Sequence, residues 1–157
     1  MHRFFVPMAV FLAVFWAIVV GLGFAMEPGQ IRVHIAAAFF LVVCVLFVHS
    51  LVMFYLIGSG RAIREALSVR DWGRPWIRRM RSIRGRCMPA AFFSMLATMG
   101  TAWAGAAAHT AMILPATHRW IALSACGLNL VSFVVEFRQL RANSALIAEL
   151  QRELEGK

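Results

Sequence analysis

Four long apolar segments constrain this chain more than any other feature. They cover about residues 4–25, 31–58, 88–112 and 117–137. Each segment is near or above the roughly 20 residues that a helix needs to cross the hydrocarbon core of a membrane. A chain inside lipid must satisfy its backbone hydrogen bonds internally, and a helix does so. The sequence therefore predicts an all-α integral membrane protein, a four-helix bundle that forms a single transmembrane domain.

Composition agrees with this prediction and leaves little room for anything else. The chain is 61% hydrophobic with a mean hydropathy of +0.74, whereas soluble domains are roughly 45–50% apolar. The first apolar segment is longer than the roughly 7–15 residues of a secretory signal core, so we interpret it as a retained membrane anchor. The three cysteines have no metal-like spacing, and we interpret them as small buried hydrophobic residues.

The connection at 61–86 predicts the orientation of the chain. It carries nine arginines against Glu65 and Asp71, a net charge of +7. Basic loops of membrane proteins lie on the cytoplasmic side. This cytoplasmic basic loop places both termini inside the cell as well, and we expect the inner (cytoplasmic) membrane of a bacterium.

An apolar stripe runs through the same basic connection. Its residues are Trp72, Trp76, Met80 and Ile83. On a helix that begins near Pro75, this stripe predicts an interfacial amphipathic helix between the second and third spans, with arginines towards anionic lipid headgroups. The alternative partner is another protein docked on this face, and we do not expect nucleic acid to bind.

The tail at 138–157 continues the fourth segment without a breaker and predicts a cytoplasmic helical extension. A 3–4 spacing of mostly apolar residues forms a seam over 140–154, typical of a short coiled coil. The seam consists of Leu140, Asn143, Ile147, Leu150 and Leu154. It indicates either a homo-oligomer or membrane protein partner subunits, or a helix that lies along the membrane or the basic loop.

Three histidines share one level near the outer face. With a helix rise of about 1.5 Å per residue, His34, His109 and His118 all lie roughly 13–16 Å from the bilayer centre. If their rings face the bundle interior, they are candidate ligands of a metal ion or of a cofactor. Arg32 and Arg119 stand beside them, and an arginine fork matches a carboxylate such as a haem propionate.

His49 lies deeper, about 6 Å on the other side of the centre by the same rise. An ionisable group at this depth is a functional candidate and needs a hydrogen-bond partner. The expected partner is Asn129, Glu136, a backbone carbonyl or a cofactor. A metal opposite Met95 is a further possibility.

The second segment carries two of these histidines, His34 and His49, with fourteen residues between them. This layout resembles bis-histidine b-type cytochromes, in which histidines with thirteen intervening residues ligate two stacked haems. The resemblance covers the second segment together with His109 and His118. It implies haem b, with axial ligands drawn from His34, His109 and His118, and a second haem would need a methionine as the fourth ligand.

Three functions follow as expectations. The first is a small electron-transfer subunit of a bacterial respiratory or redox complex, with a b-type haem held near the outer face. The second is a non-catalytic accessory or assembly subunit with structural histidines and no cofactor. The third is copper or zinc handling by His34, His109 and His118, or proton relay. The sequence contains no phosphate loop, zinc-protease motif or nucleophile with a base at recognisable spacing, so an enzyme acting by itself is not expected.

Overall fold

The computed structural model describes residues 2–25, 31–68 and 71–156. Within these residues the chain forms four long helices, which are α1 (His2–Ala25), α2 (Ile31–Leu67), α3 (Arg74–His109) and α4 (Pro115–Glu155). A short 3-10 turn at Asp71–Gly73 precedes α3. All four helices are long and apolar enough to cross a membrane. The prediction of an all-helical protein with four candidate spans is confirmed.

The helices pack as a four-cornered bundle. Helix α1 contacts α2 and α4, and α3 contacts the same two helices. Helices α2 and α4 meet each other less extensively than either meets α1 or α3. Helices α2 and α4 therefore lie on one diagonal of the bundle, so that side chains from both can meet in its centre.

The bundle is apolar outside and partly polar inside. Large apolar side chains such as Phe39, Phe54 and Trp103 point outward and are well exposed. An apolar surface this extensive is unfavourable in water but suits lipid. The buried polar side chains in the described residues are His49, Ser94, Thr98, Asn129, Ser132, Glu136 and Asn143.

At the end of the bundle where α1 begins, the other three helices extend beyond it. Phe5 of α1 packs edge-on against Phe133 of α4, with ring centres 6.2 Å apart. The part of α4 that follows Phe133 therefore extends beyond α1 and packs on α2 and α3. We call the resulting arginine-rich three-helix end the basic extension, which comprises residues 61–67, 74–86 and 138–155.

The basic connection is mostly helical. Helix α2 runs to Leu67, and α3 runs without a break from Arg74 through Pro89 to His109. Membrane helices tolerate an internal proline because neighbouring groups satisfy the freed backbone atoms. The predicted amphipathic segment is thus the first part of α3, and its Met80 is buried in the core shared with α2 and α4. Its location at the membrane surface stays a prediction.

The tail is helical to Glu155, and most of its seam residues pack against other helices of the same chain. Leu140, Asn143 and Leu150 are buried, and the Asn143 side-chain amide donates to Ser59 Oγ of α2 at 3.1 Å. Leu146, which lies outside the predicted spacing, is fully buried. Three of the five seam residues are therefore covered by the chain's own helices, whereas Ile147 and Leu154 are half-buried.

Candidate functional site

A cavity of about 490 Å³ lies between the four helices, at the end of the bundle where α1 ends and α2 begins. Cavities that hold small ligands and cofactors are about 300–1,000 Å³ in volume. Mainly apolar side chains line it, from all four helices. We call it the histidine cavity, and its lining includes Trp16, Gly23, His34, Thr98, His109 and His118.

The structure brings two of the predicted histidines close together. The ring centres of His34 and His118 are 6.5 Å apart, with their planes at 79°. Both side chains are half-buried. His109 also lines the cavity but is exposed. The cavity wall thus carries a pair of half-buried imidazoles from the diagonal helices α2 and α4, and an exposed third histidine from α3.

Each imidazole of the pair packs against a glycine of a neighbouring helix. A Cβ atom added at Gly23 of α1 would lie 3.0 Å from Cε1 of His34. A Cβ atom at Gly105 of α3 would lie 3.1 Å from Cε1 of His118. Both distances are tighter than ordinary carbon contacts of about 3.5–4.0 Å. Glycine at positions 23 and 105 therefore leaves the space that the two imidazole rings occupy.

Each imidazole of the pair also has an unsatisfied nitrogen. The Nδ1 atoms of His34 and His118 are buried and have no hydrogen-bond partner among the described residues. A buried polar atom without a partner is costly in an apolar environment. Within the same residues, no three histidine, cysteine or acidic side chains form a group that could hold a metal ion. The predicted trihistidine ligand set is thus not assembled, whereas a two-imidazole pair is.

A tight turn between α3 and α4 sets the outer ends of these helices level. The Met112 amide donates to the Ala107 carbonyl at 2.8 Å, and the Ala111 amide donates to the Ala108 carbonyl at 3.2 Å. This bonding pattern ends helices with a left-handed residue, usually glycine. Here Ala111 takes that conformation, with φ of 59°. Pro115 then begins α4, where its missing amide hydrogen costs nothing.

The remaining predicted cofactor residues take different places. Arg119 lines the cavity, and its guanidinium carbon lies 5.1 Å from the ring centre of Phe24. Arg32 is exposed and Met95 half-buried. Neither is among the residues that line the cavity. Arg119 is thus the arginine that can meet a carboxylate bound with the histidine pair.

His49 uses both ring nitrogens within the protein. Its Nε2 lies 3.0 Å from Asn129 Oδ1, and its Nδ1 lies 2.5 Å from Glu136 Oε1. The ring also stacks on Phe133, with centres 5.3 Å apart and planes at 16°. The expected hydrogen bonding to Asn129 and Glu136 is confirmed. Because both nitrogens are engaged, His49 offers no free ligand atom to a haem iron in this arrangement.

Further hydrogen bonds join this deep site to the histidine cavity. The Asn129 amide donates to the Ala125 carbonyl at 2.8 Å and to Thr98 Oγ1 at 3.1 Å. Thr98 is fully buried and also belongs to the lining of the cavity. Its hydroxyl donates to the Ser94 carbonyl at 2.8 Å. Two side chains therefore span the distance between His49 and the cavity.

The sequence alone did not identify Gly23 as a neighbour of His34. Its position one helix away from His34 shows only once the helices are packed. The sequence offered one signal, which is the depth of Gly23 in the membrane. Gly23 lies near the end of the first span and His34 near the start of the second, so both lie close to the same face of the membrane.

Comparisons with protein-family models, curated proteins and solved structures found no match to this chain.

Proposed function

We propose that this chain is a membrane-embedded electron-transfer subunit that would hold a b-type haem in the histidine cavity, with His34 and His118 as the residues that bind its iron. One observation carries the proposal, the 6.5 Å between the two ring centres. Metal–imidazole bonds are about 2 Å long, so two imidazoles on one metal ion have ring centres about 6 Å apart. The pair thus has the spacing of two rings that share one metal.

Three further features of the cavity fit a haem. Its wall is mainly apolar, as a macrocycle requires. The unsatisfied Nδ1 atoms of His34 and His118 belong to rings that gain from a metal or hydrogen-bonding partner. Arg119 lines the cavity and can form a charge-assisted hydrogen bond with a propionate.

A bound haem would supply one-electron transfer at its iron. The chain's own residues would do the rest. His34 and His118 would hold the iron and help to set its potential. Trp16 and Leu41 would keep water from one side of the site. We propose that the electrons pass between a quinone pool and a partner subunit of a respiratory or redox complex.

Absorption spectroscopy tests the proposal. The full chain is purified in mild detergent from cells supplied with haem precursor. We expect a Soret band that sharpens on reduction, and its loss in His34→Ala and in His118→Ala. Adding imidazole to these variants should restore part of the band, because the truncation leaves space for a free ligand. Trp120→Phe, next to His118 but exposed, is the matched control and should keep the band.

The opposite outcome is equally clear. A folded, colourless wild-type protein after haem supply overturns the proposal. Metal analysis of that protein then separates the two alternatives. Bound copper or zinc at one equivalent favours metal handling by the histidine pair, and a metal-free protein favours the accessory subunit.

We also propose that the basic extension faces the cytoplasm of a bacterial cell and contacts anionic lipid headgroups. Its eleven arginines outnumber its four acidic residues, and such segments stay on the cytoplasmic side. Reporter fusions after Gly60 and after Lys157 should both report cytoplasm, and a fusion within 112–117 the outside. A periplasmic signal from the basic extension would contradict this orientation.

A further inference from the structure

The proposed haem site leaves the deep His49–Glu136 pair without a function. Both side chains are completely buried, at 0% exposure. They belong to α2 and α4, both of which are candidate membrane spans. Ionisable residues inside a membrane bundle are expensive to bury and are functional candidates by default. The hydrogen bonds around this pair determine how many protons it holds.

Asn129 fixes the orientation of the His49 ring. A backbone carbonyl only accepts hydrogen bonds, so the atom that lies 2.8 Å from the Ala125 carbonyl must be the amide nitrogen of Asn129. The Asn129 oxygen therefore faces His49. Since this oxygen also only accepts, Nε2 of His49 must carry a hydrogen and donate it across the 3.0 Å contact.

The contact with Glu136 contains one further proton. With no proton between them, Nδ1 of His49 and Oε1 of Glu136 would face each other with lone pairs only, which repel at 2.5 Å. One proton, on either atom, makes a hydrogen bond. The pair is then neutral overall, either as imidazole with carboxylic acid or as imidazolium with carboxylate. This is its resting proton content.

The second oxygen of Glu136 leaves room for another proton. Oε2 is buried and has no hydrogen-bond partner among the described residues. Cys87 of α3, which is fully buried, is a titratable side chain in the vicinity of this carboxyl group. On the side of α1, the apolar Phe5 packs against Phe133, whose ring stacks on His49. Arg138, the arginine closest to Glu136 along the chain, is exposed. Arg84 of α3 is half-buried and lies beside Gly60 of α2. No described arginine or lysine forms a hydrogen bond with Glu136 Oε2.

We propose that the His49–Glu136 pair is a proton-binding site, which takes up a second proton at Glu136 Oε2 when negative charge enters the histidine cavity. Uptake converts the neutral pair to imidazolium with carboxylic acid, a change from 0 to +1. Thr98 lines the cavity and Asn129 bridges Thr98 to His49. Charges interact more strongly in the low-dielectric interior of a bundle than in water.

The coupling rests on the proposed function, but the proton-binding site itself does not. With a haem in the cavity, each electron that it accepted would be balanced by one proton from hydronium or a buffer acid in the aqueous phase. The bond to that proton would break in the aqueous acid, and an O–H bond would form at Glu136 Oε2. Loss of the electron to the partner subunit would break this O–H bond and return the proton to the aqueous phase. The bundle interior then keeps its net charge through each cycle.

Infrared difference spectroscopy tests the site on the chain as purified, with or without a cofactor. The full chain in lipid nanodiscs is cycled between mildly acidic and mildly alkaline buffer. We expect a protonated-carboxyl C=O band that grows on acidification and shifts in heavy water. The band should be lost in Glu136→Gln, which keeps the shape of the side chain and cannot titrate. Glu65→Gln removes an exposed carboxyl group and should leave the band unchanged.

Nitrogen NMR of histidine-labelled protein gives a second measurement. The His49 signals, assigned by their loss in His49→Gln, should show Nε2 protonated throughout and Nδ1 changing with pH. A folded wild-type protein whose carboxyl band and His49 signals do not change with pH overturns the proton-binding site, whether or not haem is present. A pH-dependent band in a colourless protein supports the site and rejects only the haem.

Discussion

The ring centres of His34 on α2 and His118 on α4 lie 6.5 Å apart. The His34 ring packs against Gly23 of α1, and the His118 ring packs against Gly105 of α3. All four helices thus contribute to this one contact region. Two helices supply the imidazoles, and the other two supply the bare backbone that makes room for them. The geometry of the pair therefore depends on Gly23 and Gly105 as much as on the histidines.

The glycine contacts give the first prediction. In Gly23→Ala and Gly105→Ala, the new methyl group would lie 3.0 Å and 3.1 Å from a histidine Cε1. The ring must then shift by a few tenths of an ångström, which disturbs the geometry of the pair. We expect reduced haem occupancy and a changed iron coordination, which absorption and paramagnetic resonance spectra measure.

Matched controls lie on the same helices. Gly21 of α1 and Gly100 of α3 have nothing within 4 Å of an added Cβ atom. Gly21→Ala and Gly100→Ala should keep the wild-type spectrum and gain some helix stability, because alanine favours helix over glycine by about 1 kcal/mol. Equal haem loss in all four variants would show that the glycine contacts do not position the rings.

The sequence predicted the four spans because long apolar segments depend only on local composition. It also named Asn129 and Glu136, beside a backbone carbonyl or a cofactor, as the expected partners of His49, since depth along each helix follows from a constant rise. It could not predict which way each ring points, because rotation about a helix axis is set by packing. For this reason His34 and His118 form a pair, whereas His109, at the same level, is exposed at the edge of the cavity.

The buried pair gives the second prediction, on stability. His49→Leu leaves the Glu136 carboxyl group without its partner, and Glu136→Leu does the same to Nδ1 of His49. Removal of one member of a buried pair costs about 3–5 kcal/mol. The double variant should lose less free energy of unfolding than the two single variants together, because it leaves no buried polar group without its partner. Unfolding by detergent titration in mixed micelles measures the three free energies, and additive losses would mean that the two side chains are not coupled.

The tail gives the third prediction. Leu146 is fully buried and Ile147 is only half-buried, although the sequence spacing selected Ile147. We expect Leu146→Ala to lower the free energy of unfolding by about 2–5 kcal/mol, as large-to-small core changes do. Ile147→Ala should cost less and leave the oligomeric state unchanged, as light scattering can determine. A dimer that dissociates in Ile147→Ala would instead support self-association through the 140–154 seam.

The sequence spacing selected Ile147 for a physical reason. A seam at 3–4 spacing assumes one partner direction, whereas this part of α4 packs against both α2 and α3. Because α4 packs against two helices here, its buried face is wider than a single seam and includes Leu146.

The fourth prediction concerns pH at the basic extension. The Arg79 guanidinium donates to Glu149 Oε2 at 2.7 Å, and this hydrogen bond holds the pKa of Glu149 below its ordinary value. A carboxyl group with a lowered pKa in the folded state stabilises the fold above its unfolded pKa, and this stabilisation is lost as the pH falls through the folded pKa. The loss on acidification should be smaller in Glu149→Gln. Salt should weaken the contribution as well, because both side chains are exposed.

The last prediction links the two sites inside the bundle. If uptake of one proton at Glu136 accompanies one electron in the histidine cavity, the midpoint potential should fall as pH rises, by up to about 59 mV per pH unit. The sign follows because scarce protons disfavour the reduced state. Potentiometric titration across the pH range measures the slope. Glu136→Gln should flatten the slope while keeping the haem, since Glu136 lies outside the lining of the cavity. Glu65→Gln should leave the slope as it is. A haem protein with the same slope in Glu136→Gln and in the wild type would place the titrating group elsewhere.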